Sequence, residues 1–241
     1  MDQESRWLLA DKYGGKESDE FRQDILRLEN GEPLAYVIGW TPFLHTKIYL
    51  DSHPLIPRPE TEYWVSVAIK ELQSKGIKNP KVLDLCAGSG CIGVAVLKAV
   101  PEATVHFAEI DTTHHETIEK NILANDITRT LTKIFNGDLF ENITDKYDLI
   151  LTNPPYIDPT LSDRVEASVT AHEPDVALWG GAGGMEVIDR IIVEAPKHLN
   201  SGGVLYIEHE PEKAGHIAKL CPGAQPHEDQ FGVIRFSRIQ F

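Results

Sequence analysis

The chain of 241 residues carries 37 acidic against 23 basic side chains, a formal net charge of −14 with histidines neutral. Gripping a nucleic-acid duplex by its phosphates calls for the opposite balance, so the charge favours a small-molecule or protein substrate, a local basic groove aside. With 41% hydrophobic and 25% charged residues, and no apolar run near the roughly 18 residues of a membrane span, the chain reads as one substantial globular domain with a small addition.

The opening MDQESRWLLADKYGGKESDEF has neither a basic n-region nor an apolar core, and it is too acidic for a transit peptide, so no targeting segment is expected. Within residues 2–30, Trp7 and Leu8, then Phe21, Ile25 and Leu28, recur at helical spacing around a Gly14-Gly15 break. This predicts two short helices without a core of their own. Pro33, Pro42, Pro54, Pro57 and Pro59, with a short strand from Lys47 to Leu50, predict a connecting hairpin or extended segment. A helix follows over 60–75, with Thr61, Tyr63, Val65 and Val67 in its apolar-rich part, and Gly76 ends it.

From residue 81 strands and helices alternate. KVLDLC (81–86) is a buried strand, AGSGCIGVAVLKAV a glycine turn opening a helix, and ATVHFAEI (103–110) a second strand. THHETIEKNILAND (113–126) is a helix, and LTKIFNG (131–137) and YDLILTN (147–153) are strands. A helix over 184–199, a strand over 202–210 and a closing strand over 232–241 complete the pattern. The alternation predicts an α/β protein with a doubly wound, mostly parallel, seven-stranded Rossmann-like sheet, and ligands at the carboxyl ends of its strands. The expected organisation is a helical segment over 1–30, a linking hairpin over 31–59 and a main domain over 60–241. Three cysteines, Cys86, Cys91 and Cys221, are too few for a disulfide framework or zinc site and point to a reducing compartment, the cytoplasm by default. Cys86 and Cys91 are expected to pack as small apolar residues.

Gly88, Gly90 and Gly93 satisfy G-x-G-x-x-G between a strand and a helix, and Glu109 lies nineteen residues beyond Gly90 at the end of the next strand. Such glycines let backbone approach a nucleotide-type ligand, and the carboxylate accepts from ribose hydroxyls. This turn alone does not separate a nicotinamide cofactor from S-adenosylmethionine. Two features do. Asp84, inside its strand, suits a cationic or amino-acid-bearing ligand better than a pyrophosphate. The tetrad Asn153-Pro154-Pro155-Tyr156 has no place in hydride transfer, which needs a His- or Tyr-type acid–base group.

The tetrad suits a planar –NH2 as nucleophile. The lone pair of such a nitrogen is delocalised, and hydrogen bonds from both N–H groups raise its electron density. Asn153 offers a side-chain oxygen, and the Pro154 carbonyl a second acceptor held extended by the proline that follows. Pro155 brings no competing N–H, and Tyr156 can stack on the flat amide. Displacement at a sulfonium methyl is in-line, so catalysis would be mostly positioning.

The chain also resembles a known family. DLCAGSG (84–90) is similar to the first motif of class I methyltransferases. GEPLAYVIG (31–39), LIPRPETE (55–62), DLFENITDKYDLILTNPPYI (138–157), HEPDVALWGGAGGMEVIDR (172–190) and Asp229, Gly232 and Arg235 resemble the release-factor glutamine methyltransferases. Those enzymes methylate the N5 of the glutamine in the Gly-Gly-Gln loop of class I peptide chain release factors. The resemblance implies catalytic Asn153, Pro154 and Tyr156, and S-adenosylmethionine held by Asp84, Ala87, Gly88, Gly90, Glu109, Ile110, Asp138, Leu139 and Asn153. It implies that Arg58, Pro59, Glu60 and Thr61, with Asn153, Pro154, Pro155 and Tyr156, meet a release-factor substrate. No membrane, metal or duplex nucleic acid is implied, and a monomer is expected.

The departures are equally definite. Family members usually carry a larger helical domain before the position of Gly31, which affects how the release factor docks. Gly183 and Glu109 stand where Asp is usual, and Glu208-His209-Glu210-Pro211-Glu212-Lys213 replaces E-I-G-x-x-Q. Glu208, His209 and Glu210 alternate along a strand, so the histidine points away from the carboxylates and makes a poor metal site. His114 and His115 are expected to be solvated at a helix start. Trp40 and Trp179 suit either a substrate rim or the core, and Arg58 either the site or a pair with Glu60 or Glu62. Two other functions compete: methylation of an exocyclic amine of adenine or guanine, which the same tetrad would serve, and nucleotide binding without catalysis.

Overall fold

The computed structural model describes the backbone of residues 1–241 and every side chain but that of Arg129. Helix α1 (Gln3–Asp11) is capped by Asp2, which accepts from the Ser5 amide, and α2 (Asp19–Glu29) by Ser18, which accepts from the Phe21 amide. A third helix, α3 (Leu34–Ile38), was not legible in the sequence; it ends on Gly39, whose φ of +90° suits glycine. Leu8, Phe21 and Val37 bury against one another, so the three helices do share a small apolar cluster. Trp7, expected on that stripe, is instead 48% exposed.

An antiparallel hairpin, β1 (Trp40–Phe43) and β2 (Thr46–Tyr49), leads to α4 (Pro59–Ser74). Pro59 opens α4 where no N–H is needed, and Trp64, Val65, Ala68, Ile69 and Leu72 form its buried stripe. The main sheet then begins with β3 (Lys81–Leu85), α5 (Cys91–Ala99), β4 (Thr104–Glu109), α6 (His115–Ala124), β5 (Thr132–Asn136) and β6 (Tyr147–Thr152). Three helices follow, α7 (Ala167–His172), α8 (Asp175–Leu178) and α9 (Glu186–Glu194). The chain closes with β7 (Leu199–Glu208), α10 (Ala214–Leu220), β8 (Gln225–Glu228) and β9 (Ile234–Gln240).

Seven strands run in the order β5-β4-β3-β6-β7-β9-β8, all parallel from β5 to β7. The exception is β9, antiparallel to both its neighbours. This is the doubly wound, mostly parallel sheet that the alternating pattern predicts. Helices cover both faces: α4, α5 and α6 enclose Val82, Phe107 and Tyr206, while Ile188 and Ile191 of α9 and Ile217 of α10 meet Leu83, Leu85 and Ile150. Because β4 and β5 lie on one side of β3 and β6 on the other, a crevice opens at the carboxyl ends of β3 and β6. Gly93 allows α5 to lie close on β4, since a Cβ there would overlap the Phe107 ring. No helix among the described residues is long and apolar enough to cross a membrane.

The hairpin is fastened to the sheet by side chains of α6. Asn125 accepts from Lys47 N at 3.0 Å and donates to Lys47 O at 2.9 Å. One turn earlier Asn121 accepts from Tyr49 N at 2.7 Å and donates to Tyr49 O at 3.0 Å, while also donating to Ser89 O in the glycine turn at 2.9 Å. Two amides at i, i+4 thus stand in for the peptide groups of a third strand.

Candidate active site

The turn after β3 holds Cys86, Gly88 and Gly90 at positive φ of 60°, 54° and 75°. The conformation costs a glycine little but strains Cys86, and Leu139 after β5 is strained likewise at φ 53°. Glu109, at the end of β4, clamps the turn: Oε2 accepts from Gly88 N at 2.7 Å and Oε1 from Asp111 N at 2.9 Å. Each carboxylate oxygen keeps acceptor capacity, and Glu109 lines a cavity of about 300 Å³ over these strand ends.

The sequence-predicted residues Gly88, Glu109, Ile110, Asp138, Leu139 and Asn153 all line that cavity. Ala87 and Gly90 lie within the turn behind it. Asp84 stands apart from the wall, fully buried beneath α5, with Oδ2 accepting from Gly93 N at 2.8 Å and Oδ1 without a partner among the described residues. Burial, reinforced by the Glu109 charge, pushes its carboxyl well above the usual range. Asp84 thus pins the first turn of α5 instead of facing the cavity. Asp138 is half exposed and pairs with Arg190, also a wall residue, at 2.8 Å.

Leu55, His114, Val176, Trp179 and Val187 line the cavity too, none of them expected there as a site residue except Trp179, for which rim and core both stood open. His114 corrects the expectation of a solvated histidine: it is 3% exposed, with Nδ1 2.8 Å from Ser52 Oγ. The burying partner lies 62 residues earlier, beyond any local pattern. Trp40 is away from this cavity, with the Lys47 ammonium 4.2 Å above its ring. Cys86 lines the wall, and Cys91 is buried behind it.

At the end of β6, Asn153 and Pro155 face the cavity, while Pro154 is buried. The Tyr156 hydroxyl donates to Glu208 Oε1 at 3.0 Å. The tetrad is backed by the Gly180–Gly184 loop. A Cβ on Gly180 would crowd Pro155 O and Tyr156 Cα, and one on Gly184 would overlap Tyr156 O. Lys213, 7% exposed, donates to Gly183 O at 2.6 Å and so ties the loop down.

Arg58, Pro59, Glu60 and Thr61 do not line the cavity. Arg58 pairs with neither Glu60 nor Glu62 but with Glu173 at 2.5 Å, joining the segment before α4 to that before α8. Glu173 also accepts from Ile56 N at 3.0 Å. Thr61 reaches the tetrad, its Oγ1 lying 3.4 Å from Asn153 Nδ2. His209 turns away from Glu208, with Nε2 2.8 Å from Ser237 Oγ.

Doubly wound sheet, glycine turn and switch-point cavity together define a Rossmann-like fold with its ligand site at the carboxyl ends of the strands. A family model, the methyltransferase small domain, matches residues 65–171. Among solved structures, the fold is similar to the hMettl16 catalytic domain in complex with an RNA hairpin, with a TM-score of 0.64 at 16% identity over 91% of this chain and 79% of that one. Among curated proteins, the release factor glutamine methyltransferase of Francisella tularensis is 38% identical over 212 residues, 87% of this chain and 72% of its own. That of Rhodopirellula baltica is 34% identical over 199 residues, 81% of this chain and 67% of its own. The chain belongs to the release factor glutamine methyltransferase family.

Proposed function

We propose that the protein transfers a methyl group from S-adenosylmethionine to the side-chain amide nitrogen of the Gly-Gly-Gln glutamine in class I peptide chain release factors. The observation that carries the reading is the Asn153-Pro154-Pro155-Tyr156 tetrad at the end of β6, with Asn153 on the wall of a cavity that Glu109 also lines. The wall suits the cofactor: Glu109 has acceptor capacity left for ribose hydroxyls, and Ile110, Leu139 and Val187 offer apolar surface for a flat base. When bound, the sulfonium supplies an electrophilic methyl group. Gly88, Glu109, Ile110, Asp138, Leu139 and Asn153 would hold it directly, and Asp84, Ala87 and Gly90 would shape the turn.

Asn153 Oδ1 and the Pro154 carbonyl would accept from the two N–H groups of the target amide, raising its electron density and aiming its lone pair. Tyr156 would flank the amide, and Arg58, Pro59, Glu60 and Thr61 would border the entry from the side of α4. The amide proton becomes acidic once the nitrogen is methylated, so no strong base is needed before attack. This reading takes 1–30 as a helical segment and 31–59 as a linking hairpin ahead of a methyltransferase domain over 60–241, working in the cytoplasm.

The test is mass spectrometry of a purified class I release factor after incubation with the protein and S-adenosylmethionine, with Asn153→Ala as control. One added methyl on the Gly-Gly-Gln glutamine, absent with the variant, is the expected result. An unmodified factor, with label entering RNA or DNA instead, overturns it.

A further inference from the structure

We infer that Glu208 and Thr61 are positioning residues that decide which end of the Asn153 amide is offered to the substrate. The inference rests on the methyl-transfer reading above. Glu208, at the end of β7, is 1% exposed, and both its oxygens are engaged. Oε2 accepts from Thr61 Oγ1 at 2.6 Å and from Trp64 Nε1 at 2.6 Å, and Oε1 accepts from the Tyr156 hydroxyl at 3.0 Å. All three donors are neutral. Arg235, whose charge is felt at Glu208, is itself paired with Asp229 at 3.4 Å.

The direction of this chain of hydrogen bonds follows from what each group can do. Trp64 Nε1 can only donate, which makes Oε2 an accepting oxygen, so the single hydroxyl proton of Thr61 is committed to Glu208. Thr61 Oγ1 keeps only lone pairs for its other neighbour, Asn153 Nδ2 at 3.4 Å. An inverted Asn153 would set its carbonyl oxygen against those lone pairs, acceptor facing acceptor. The nitrogen therefore stays at Thr61, and Oδ1 is the uncommitted end of a side chain that lines the cavity. An acceptor is what a target –NH2 requires; the inverted amide would present donor to donor. Through Tyr156 the same carboxylate also fixes the far end of the tetrad. One buried group thus sets the register between the first turn of α4 and the end of β6.

Two readouts test this. The first needs no substrate: the side-chain amide proton signals of Asn153, assigned by their loss in Asn153→Ala, should show a hydrogen-bonded proton. Thr61→Val should abolish that bond and Thr61→Ser restore it. Glu208→Gln should leave the Asn153 bond in place, because Trp64 Nε1 can only donate and so holds the oxygen of the new amide on the side of Thr61, with its NH2 toward the Tyr156 hydroxyl. The second is steady-state kinetics on the release factor. Thr61→Val should lower kcat about tenfold, the scale of one misoriented hydrogen bond in the transition state, with S-adenosylmethionine affinity little changed. The melting temperature should fall, because buried Glu208 loses a donor. Thr61→Ser should recover most of the loss. Unchanged Asn153 signals in Thr61→Val, or a kcat loss that tracks cofactor affinity and is not rescued by Ser, overturn the inference. A wild-type protein inactive on the release factor defeats the broader reading alone, since the amide signals still decide the orientation.

Discussion

Gly184 shows how closely single positions constrain the tetrad. It has a φ of +68°, and a Cβ there would overlap the Tyr156 carbonyl oxygen. Gly184→Ala should therefore cost roughly 1–3 kcal/mol in denaturant unfolding. It should lower kcat more than it lowers cofactor affinity, because the backbone that must yield belongs to Tyr156. Glu109→Ala should do the reverse. Loss of the clamp on Gly88 and of the free acceptor sites should weaken S-adenosylmethionine binding at least about tenfold by calorimetry, taking one to two hydrogen bonds as the loss. At this scale the sequence was informative where spacing carries the chemistry. Glu109 was legible because a carboxylate nineteen residues past the glycine turn ends the neighbouring strand. His114 was not, because Ser52 and Thr117, which share a hydroxyl network beside it, meet only in the folded chain. Asp84 was legible as an unwelcome charge in a strand, yet its partner, the Gly93 amide, belongs to the first turn of α5 rather than to the cavity wall.

Among the elements, α4 is bound to the far half of the sheet by Glu71, which accepts two bonds from Arg238 at 2.7 Å each and a third from the Tyr206 hydroxyl. The guanidinium beside it holds the Glu71 carboxyl down at about 2 against a usual 4.5. A depressed folded-state value contributes stability that is present above the unfolded value and lost as pH falls through the folded one. His106 acts in the same direction: burial holds it down at about 4 against 6.5, so its contribution fades as pH falls below 6.5. Melting temperature should accordingly decline from about pH 6 downwards, and Glu71→Gln should flatten the lowest part of that curve. Long, strongly patterned strands and helices could be read within a few residues, because their apolar faces repeat. The edge strand β8 could not. Its residues Gln225, Pro226, His227 and Glu228 are all exposed, and its pairing with β9 leaves no alternation in the sequence. The five-residue α3 is too short to show a period.

For the whole molecule, the charge of −14 bears on encounter. If the substrate presents a basic face, association should slow several-fold as salt is raised tenfold from low ionic strength, while cofactor binding in its cavity changes little. Stopped-flow association with the release factor measures this, and a rate indifferent to salt would count against steering. The amides of Asn121 and Asn125 bear on a different kind of encounter. A two-stranded ribbon normally offers a free margin of N–H and C=O groups to which another chain can add, the usual seed of fibrils and swapped dimers. Here the margin at Lys47 and Tyr49 is already occupied by a helix of the same chain. Replacing both asparagines by leucine should expose that margin, and the variant should form concentration-dependent aggregates on gentle heating where the parent stays dispersed. A pair of side-chain amides one helical turn apart is thus also a device against self-association.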